Sequence, residues 1–261
     1  MLQSCGQRAE KGNLVLRLLV VTAHPDDEAG GFGGTLLLSH ERGIETYVIC
    51  LTPGQAASNR GGAKSDDELS AMRRTEFARS CELLKVTRGE VLDYRDAALD
   101  RADFLKVVGD LTQRVREIRP QVMATFGTEG AITGHPDHSM ASLFATAAFH
   151  WAGRLKRFPE QLKNGLKPHR TQKLYYTSPD FFMDDREPVS LPPWNARIAI
   201  GKRLDTKLAA FKAHTSQSPL FDRVEKTFRQ HGEQELYHLA AAFPPRQMKM
   251  ESDLFEGVVE T

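Results

Sequence analysis

Apolar residues in this chain fall into short dense runs, separated by longer stretches where they recur every third or fourth position. Residues 14–23 (LVLRLLVVTA) are almost continuously Leu and Val, the pattern of a strand buried on both faces of a parallel sheet. After a cluster of glycines, GTLLLSHERG reads as a helix that stops at Gly43, and residues 45–52 (ETYVICLT) as a second strand. Residues 53–65 form a polar, glycine-rich loop of a length that usually signals function. In DELSAMRRTEFARSCELLKV, helical spacing relates Leu69, Met72, Phe77, Cys81 and Leu84. EVLDY and QVMATF read as further strands, and the helix between them, FLKVVGDLTQRVREIRP, is closed by Pro120. HPDHSMASLFATAAFHWAGRL predicts a long helix with Pro136 in its first turn, where proline is tolerated. KLYYTS and RIAI predict strands, RLDTKLAAFKAH a helix, and a last helical region follows the TSQSP turn.

Strand and helix alternate from residue 14 to about 215, which predicts βαβ units: an α/β fold whose mostly parallel sheet is covered by helices on both faces. No domain boundary stands out. The expected unit is one domain over residues 1–261, with a core of about 14–217 and residues 218–261 packing on it. The tail from Phe243, interrupted by prolines and charges, is expected to wrap that body.

Composition narrows the classes. Of 261 residues, 40% are hydrophobic and 26% charged, so the chain is globular. Its 35 basic residues nearly balance 34 acidic ones and no basic block stands out, which gives no support to a nucleic-acid or polybasic membrane role. The apolar runs are too short to span a bilayer. Cys5, Cys50 and Cys81 form no Cys-x-x-Cys pair, a usage that fits a reducing, cytoplasmic setting. Nothing ahead of Cys5 in MLQSCG serves as an apolar leader, so no signal peptide is predicted.

The chemistry sits at two strand ends. Open parallel sheets bind ligands outside the carboxyl ends of their strands. AHPDDE follows the first strand and GHPDH follows QVMATF, so the topology brings both to one rim. His24 and Asp27 are three apart on a turn into a helix; His135 and His138 are three apart at a helix start and share a face. Two histidines and a carboxylate are a common set for a catalytic divalent metal, and a metal supplies the positive charge the acidic cluster lacks. Asp26 and Asp27 are adjacent and point apart, so one can bind metal while the other acts as general base on water, whose pKa the metal lowers from about 16 toward ~7. A second histidine can serve a developing oxyanion or the leaving amine, and Asp137 can orient it. GGFGG lacks the spacing of a dinucleotide fingerprint; Gly30, Gly31, Gly33 and Gly34 instead let a helix pack closely and leave room above the metal. His214 in AHTSQ reads as a structural histidine, and loop 53–65 as the shaper of the pocket.

VVTAHPDDEAGGFGGTL with a later GHPDH resembles the zinc-dependent PIG-L/LmbE-type N-deacetylases of N-acetylglucosamine conjugates. The similarity covers about residues 14–217, with weaker support from PGQAASNRGG, MRRTEFARSCELLKV and KLAAFKAHTSQ. It implies a Rossmann-like three-layer fold and zinc (or Fe(II) or another divalent ion) held by His24, Asp27 and His138. It implies Asp26 as general base, and His135, held by Asp137, as the residue that stabilises the tetrahedral intermediate and assists the amine. It also implies Arg73 on sugar hydroxyls, a small-molecule N-acyl amino sugar as partner, and a capacity for homo-oligomers. Ser80 and Lys85 depart from the family pattern away from the two motifs. The alternatives are a sugar-conjugate amidase with the same metal set and a non-haem iron oxygenase, whose facial triad uses the same residue types. The role of Glu28 is left open.

Overall fold

The computed structural model describes residues 15–183 and 186–259, so Cys5 and the MLQSCG stretch lie outside the described residues. The apolar run at the start becomes β1 (Arg17–Thr22), whose Leu18, Leu19, Val20 and Val21 are fully buried. α1 (Asp27–Glu41) leads to β2 (Glu45–Cys50), and α2 (Asp66–Leu83) to β3 (Arg88–Val91). The Ser65 side chain starts α2 by accepting from the Glu68 N–H at 3.1 Å. α3 (Phe104–Ile118) is capped by Asp103, which accepts from the Lys106 N–H, and it ends at Arg119, left-handed at φ 57°, just before Pro120. Then come β4 (Val122–Thr125), α4 (Pro136–Trp151), the short α5 (Pro159–Lys163) and β5 (Lys173–Thr177). β6 (Ala196–Ala199), α6 (Leu204–Lys212), α7 (Phe221–His231) and β7 (Gln234–Ala242) complete the order.

The strands form a sheet ordered β3-β2-β1-β4-β5-β7-β6. The first five are parallel; β7 runs antiparallel to both β5 and β6. α1 and α2 pack with α6, and α3 packs with α4, as expected for helices on both faces. The chain turns back at β1: one crossover leads outward to β2, and β4 pairs on the other side, with Leu18 opposite both Thr46 and Val122. Such a switch point opens a crevice at the strand ends, where AHPDDE and GHPDH emerge.

Besides the unpredicted α5 and a β3 that spans Arg88–Val91 instead of residues 90–94, two elements differ from the sequence reading. α1 starts at Asp27, ahead of the glycines rather than after them. Asp27 and Glu28 in its first turn favour the start, and close packing offsets the poor helix propensity of the glycines. A Cβ on Gly33 would press on the Lys207 side chain at 3.0 Å and on Leu84 at 3.2 Å, and one on Gly34 would overlap Ile200. Gly30 and Gly31 meet nothing within 4 Å. The second difference is β7, in a region without a strand signal. Its QELYHLAAA buries Glu235 and ends in three alanines, which hides the alternation of a half-buried strand.

The tail is fastened to β5. Lys173 Nζ donates to Glu251 Oε1 at 2.8 Å and to Tyr175 Oη at 2.8 Å, and Tyr175 Oη donates to Glu251 Oε2, all three residues being buried. Arg42 forks onto Asp253 at 2.7 and 2.8 Å. Among the described residues, no helix is long and apolar enough to cross a membrane.

Candidate active site

The end of β1 and the start of α1 deliver His24, Asp26 and Asp27; the start of α4 delivers His135, Asp137 and His138. Asp27 lies between the two motifs. Its Oδ2 accepts from the His24 N–H at 2.8 Å and lies 3.6 Å from His24 Nδ1, and its Oδ1 is 3.2 Å from His138 Nε2. The rings of His24 and His135 are 4.8 Å apart, and those of His135 and His138 5.1 Å. His24, His135 and His138 each offer a ring nitrogen within 4.8 Å of the others. Phe126 stacks on His138 at 4.0 Å, and Thr133 Oγ1 lies 3.2 Å from its Nδ1, which together fix that ring with Nε2 facing Asp27.

Charge here is lopsided. His24 Nε2 sits 3.0 Å from Asp96 Oδ1 and 3.3 Å from Asp137 Oδ2, so three carboxylates, counting Asp27, surround one imidazole. Burial alone would lower the His24 pKa, but hydrogen bonds to Asp137, Asp27 and Asp96 hold it well above the usual value. Burial likewise opposes ionisation of Asp27, and the charge and hydrogen bond of His138 keep it well below the usual carboxylate range. Such a cluster suits a cation.

Asp26 has a different environment. Its backbone is left-handed, φ 109°, and its Oδ2 accepts from Arg73 Nη2 at 2.9 Å. Burial pushes the Asp26 carboxyl up to about 6 against the pull of Arg73. Glu28, which the sequence leaves unplaced, holds this conformation. Its Oε2 accepts from the Asp26 N–H at 3.0 Å, while its Oε1 accepts from Ser80 Oγ at 2.5 Å and from His214 Nε2 at 2.7 Å. His214 is fully buried at the end of α6, and Glu76 anchors the turn after it by accepting from the Thr215 hydroxyl and the Ser216 N–H, both at 2.7 Å.

Two expected contacts take another form. Asp137 does not hold His135 through its carboxylate: the two stand two apart at a helix start and do not face each other. The Asp137 carboxylate instead accepts from the Ala97 N–H at 2.7 Å and the Leu99 N–H at 3.2 Å, and abuts His24. Its backbone N–H does reach His135, donating to Nδ1 at 3.1 Å. A neutral His135 therefore carries its proton on Nε2. Burial, then the charges of His24 and His138, lower the His135 pKa and favour that neutral form. Arg73 is buried beneath Asp26, which it pairs with, and it also contributes to the cavity wall. Its Nη atoms donate to Asp26, to Gly54 O at 3.1 Å and to Pro25 O, and among the described residues Nε has no partner.

A cavity of about 600 Å³ contains His24, Asp26, Asp27, Arg73, His135 and His138 in its wall. Gly30 and Gly31 floor part of it, and Ala56 to Asn59 of loop 53–65 form another part, as the sequence suggests. Asp96 is the site residue that sequence reading misses. Its one signal is position, since it follows β3 at the same rim. Its Oδ2 accepts from the Ala56 N–H at 2.9 Å and so joins the loop to His24.

Residues 19–149 match the family model for GlcNAc-PI de-N-acetylase, PIG-L. The chain belongs to the PIG-L family. It is 31% identical over 213 residues to the diacetylchitobiose deacetylase of Thermococcus kodakarensis, covering 80% of this chain and 73% of the relative. It is 27% identical to 1D-myo-inositol 2-acetamido-2-deoxy-alpha-D-glucopyranoside deacetylase 2 of Catenulispora acidiphila, covering 96% and 100%. In fold it resembles the N,N'-diacetylchitobiose deacetylase of Pyrococcus horikoshii, with a TM-score of 0.73 at 23% identity over 85% of this chain and 83% of that one. Every site residue named from the two motifs, and Arg73, falls inside the PIG-L match; His214, α7 and β7 lie beyond it.

Proposed function

We propose that this PIG-L member is a zinc-dependent N-deacetylase that hydrolyses the acetamido group of an N-acetylglucosamine-type sugar or conjugate to amine and acetate. The observation that carries the reading is Asp26: a carboxylate beside the His/Asp cluster, in the same cavity, paired with an arginine rather than with a histidine. The relatives support the same class, being deacetylases of diacetylchitobiose and of a 2-acetamido-2-deoxyglucopyranoside of myo-inositol.

His24, Asp27 and His138 would hold the zinc. Two imidazoles and a carboxylate are a zinc donor set, and the carboxylate surplus around His24 fits a dication. When bound, the ion supplies a Lewis acid for the amide carbonyl and makes water more acidic. Asp26 takes the proton of the attacking water, in an orientation that Arg73 and Glu28 impose. His135 lines the cavity with Nδ1 already accepting, so its Nε2–H donates a hydrogen bond to the developing oxyanion, and the proton that Asp26 takes from water passes on to the departing amine beside it. Free, buried Cys50 and Cys81 suit a reducing compartment, the cytoplasm.

The test is a panel of N-acetyl sugars with zinc-loaded protein, scoring primary amine and acetate together, with and without oxygen. Equal amounts of both, independent of oxygen, are expected. Absence of amine from every sugar, or amine release that depends on oxygen, overturns the reading.

A further inference from the structure

Just ahead of α4 the chain reads GAITGH, and two glycines set its shape. Gly130 and Gly134 are left-handed, at φ 89° and 60°, and enclose a single 3-10 turn, Ala131–Thr133. A Cβ on Gly130 would come within 2.7 Å of the Gly134 carbonyl carbon and the His135 oxygen, so only glycine lets the loop close this tightly. Closure brings Thr133 beside His138, with Oγ1 3.2 Å from His138 Nδ1 and 3.3 Å from Gly130 O. A carbonyl has no proton to give, so the hydroxyl donates to Gly130 O and keeps a lone pair for an Nδ1–H. A neutral imidazole carries one ring proton. With that proton on Nδ1, Nε2 is a bare lone pair 3.2 Å from Asp27 Oδ1. Two acceptors facing each other at that distance call for a cation between them. His24 is backed differently, with Asp96 Oδ1 at 3.0 Å and Asp137 Oδ2 at 3.3 Å from its Nε2. His138 has a neutral hydroxyl at its outer nitrogen and the Phe126 ring against its face.

We propose that Thr133 is a positioning residue for the metal: its hydroxyl holds the His138 ring proton on Nδ1 and so keeps Nε2 available as a ligand. The proposal rests on the reading in which His138 helps to hold the ion. Without the hydroxyl the ring gains by carrying its proton on Nε2, where Asp27 Oδ1 accepts it. An incoming ion then has to displace that proton, and the bound state leaves an Nδ1–H without its acceptor in a buried ring. Groups that orient a ligating histidine through its other nitrogen contribute about 10- to 100-fold in metal affinity. Thr133 also borders the cavity, so a fall in turnover alone would equally report a lost sugar contact. Zinc affinity measured without sugar reports only the role at His138.

The experiment measures zinc affinity by competition with a chromophoric chelator for the wild type, Thr133→Val, Thr133→Ser and His138→Ala, with circular dichroism to confirm that each folds. Valine keeps the size of threonine and removes the hydroxyl; serine keeps the hydroxyl. Thr133→Val is expected to bind zinc about 10- to 100-fold more weakly, and Thr133→Ser to stay within about threefold of wild type. Nitrogen NMR of the histidine side chains in the zinc-free protein supplies a signature that packing alone does not move. It is expected to place the proton of the neutral His138 ring on Nδ1 in wild type and on Nε2 in Thr133→Val. Wild-type affinity in Thr133→Val, equal losses in the valine and serine variants, or an Nε2 proton in the wild type overturns the proposal. If His138→Ala loses zinc while Thr133→Val does not, the proposal falls and the ligand set stands. If His138→Ala keeps wild-type affinity, the ligand set falls and the proposal with it.

Discussion

The substitution Glu28→Gln tests the support of Asp26, the proposed general base. Glu28 is fully buried and accepts three hydrogen bonds, from Asp26 N–H, Ser80 Oγ and His214 Nε2. Glutamine preserves volume but turns one acceptor oxygen into a donor. Whichever way the amide lies, it meets either the Asp26 N–H or the Ser80 and His214 donors with a donor of its own. A bond to a charged acceptor is worth about 1.5–3 kcal/mol. The left-handed backbone of Asp26 costs about 1–2 kcal/mol, so without that bond the strained conformation loses most of its support. At 1.36 kcal/mol per decade of rate, kcat is expected to fall by roughly 10- to 100-fold. Zinc content stays at the wild-type level, because Glu28 bonds none of His24, Asp27 and His138. Each lost kcal/mol lowers Tm by about 2–4 °C in a chain of this size. The pH dependence adds a second signature. Burial opposes a charge on His214, but the Glu28 charge wins and raises its pKa above the usual 6.5. That contribution to stability is complete below the unfolded value of about 6.5 and fades as pH rises through the raised folded value. Glu28→Gln removes it, so the variant's Tm deficit is largest at low pH and narrows as pH rises. A variant with kcat within twofold of wild type and an unchanged Tm–pH curve would refute the reasoning, as would a loss of activity that follows loss of zinc.

Other substitutions probe separate parts of the molecule. Asp26→Asn is expected to retain zinc, measured by elemental analysis, and to lose about 10²–10⁴ in kcat, the usual contribution of a general base. His138→Ala removes a ring that faces Asp27 at 3.2 Å and should lose zinc itself in the same measurement. Gly34→Ala drives a methyl into Ile200 where α1 passes close to β6, and a thermal melt should show about 1–3 kcal/mol of destabilisation. Lys173→Met leaves Glu251 buried without its cation and should cost about 3–5 kcal/mol in urea unfolding, with the further change Glu251→Leu restoring much of it.

How much of this was legible in the sequence depends on the range over which each feature is encoded. β1 announces itself because every residue from Leu18 to Val21 is buried by immediate neighbours in the sheet. The AHPDDE and GHPDH motifs are legible for a related reason: each is local, and the strand order that unites them follows from the alternation of elements. The features that escaped are those whose cause lies elsewhere in the chain. β7 carries a buried glutamate because Lys207, Gly34 and Thr35 supply its partners, so its polarity pattern misleads. Asp96 gains its meaning from His24, with no motif around it. Ser80 looks like a departure of no consequence, yet its hydroxyl helps hold Glu28. AHPDDE therefore contains two kinds of information. His24, Asp26 and Asp27 are legible as candidate chemistry because the proposed ligands and base are residue types with few other reasons to cluster. Glu28 is illegible because its partners, Ser80 and His214, come from α2 and the end of α6, and only folding brings them to it. A carboxylate one position from a metal cluster would ordinarily be read as another ligand or a helix cap. Here its oxygens turn to Asp26 N–H, Ser80 and His214, and the residue fixes the backbone of Asp26.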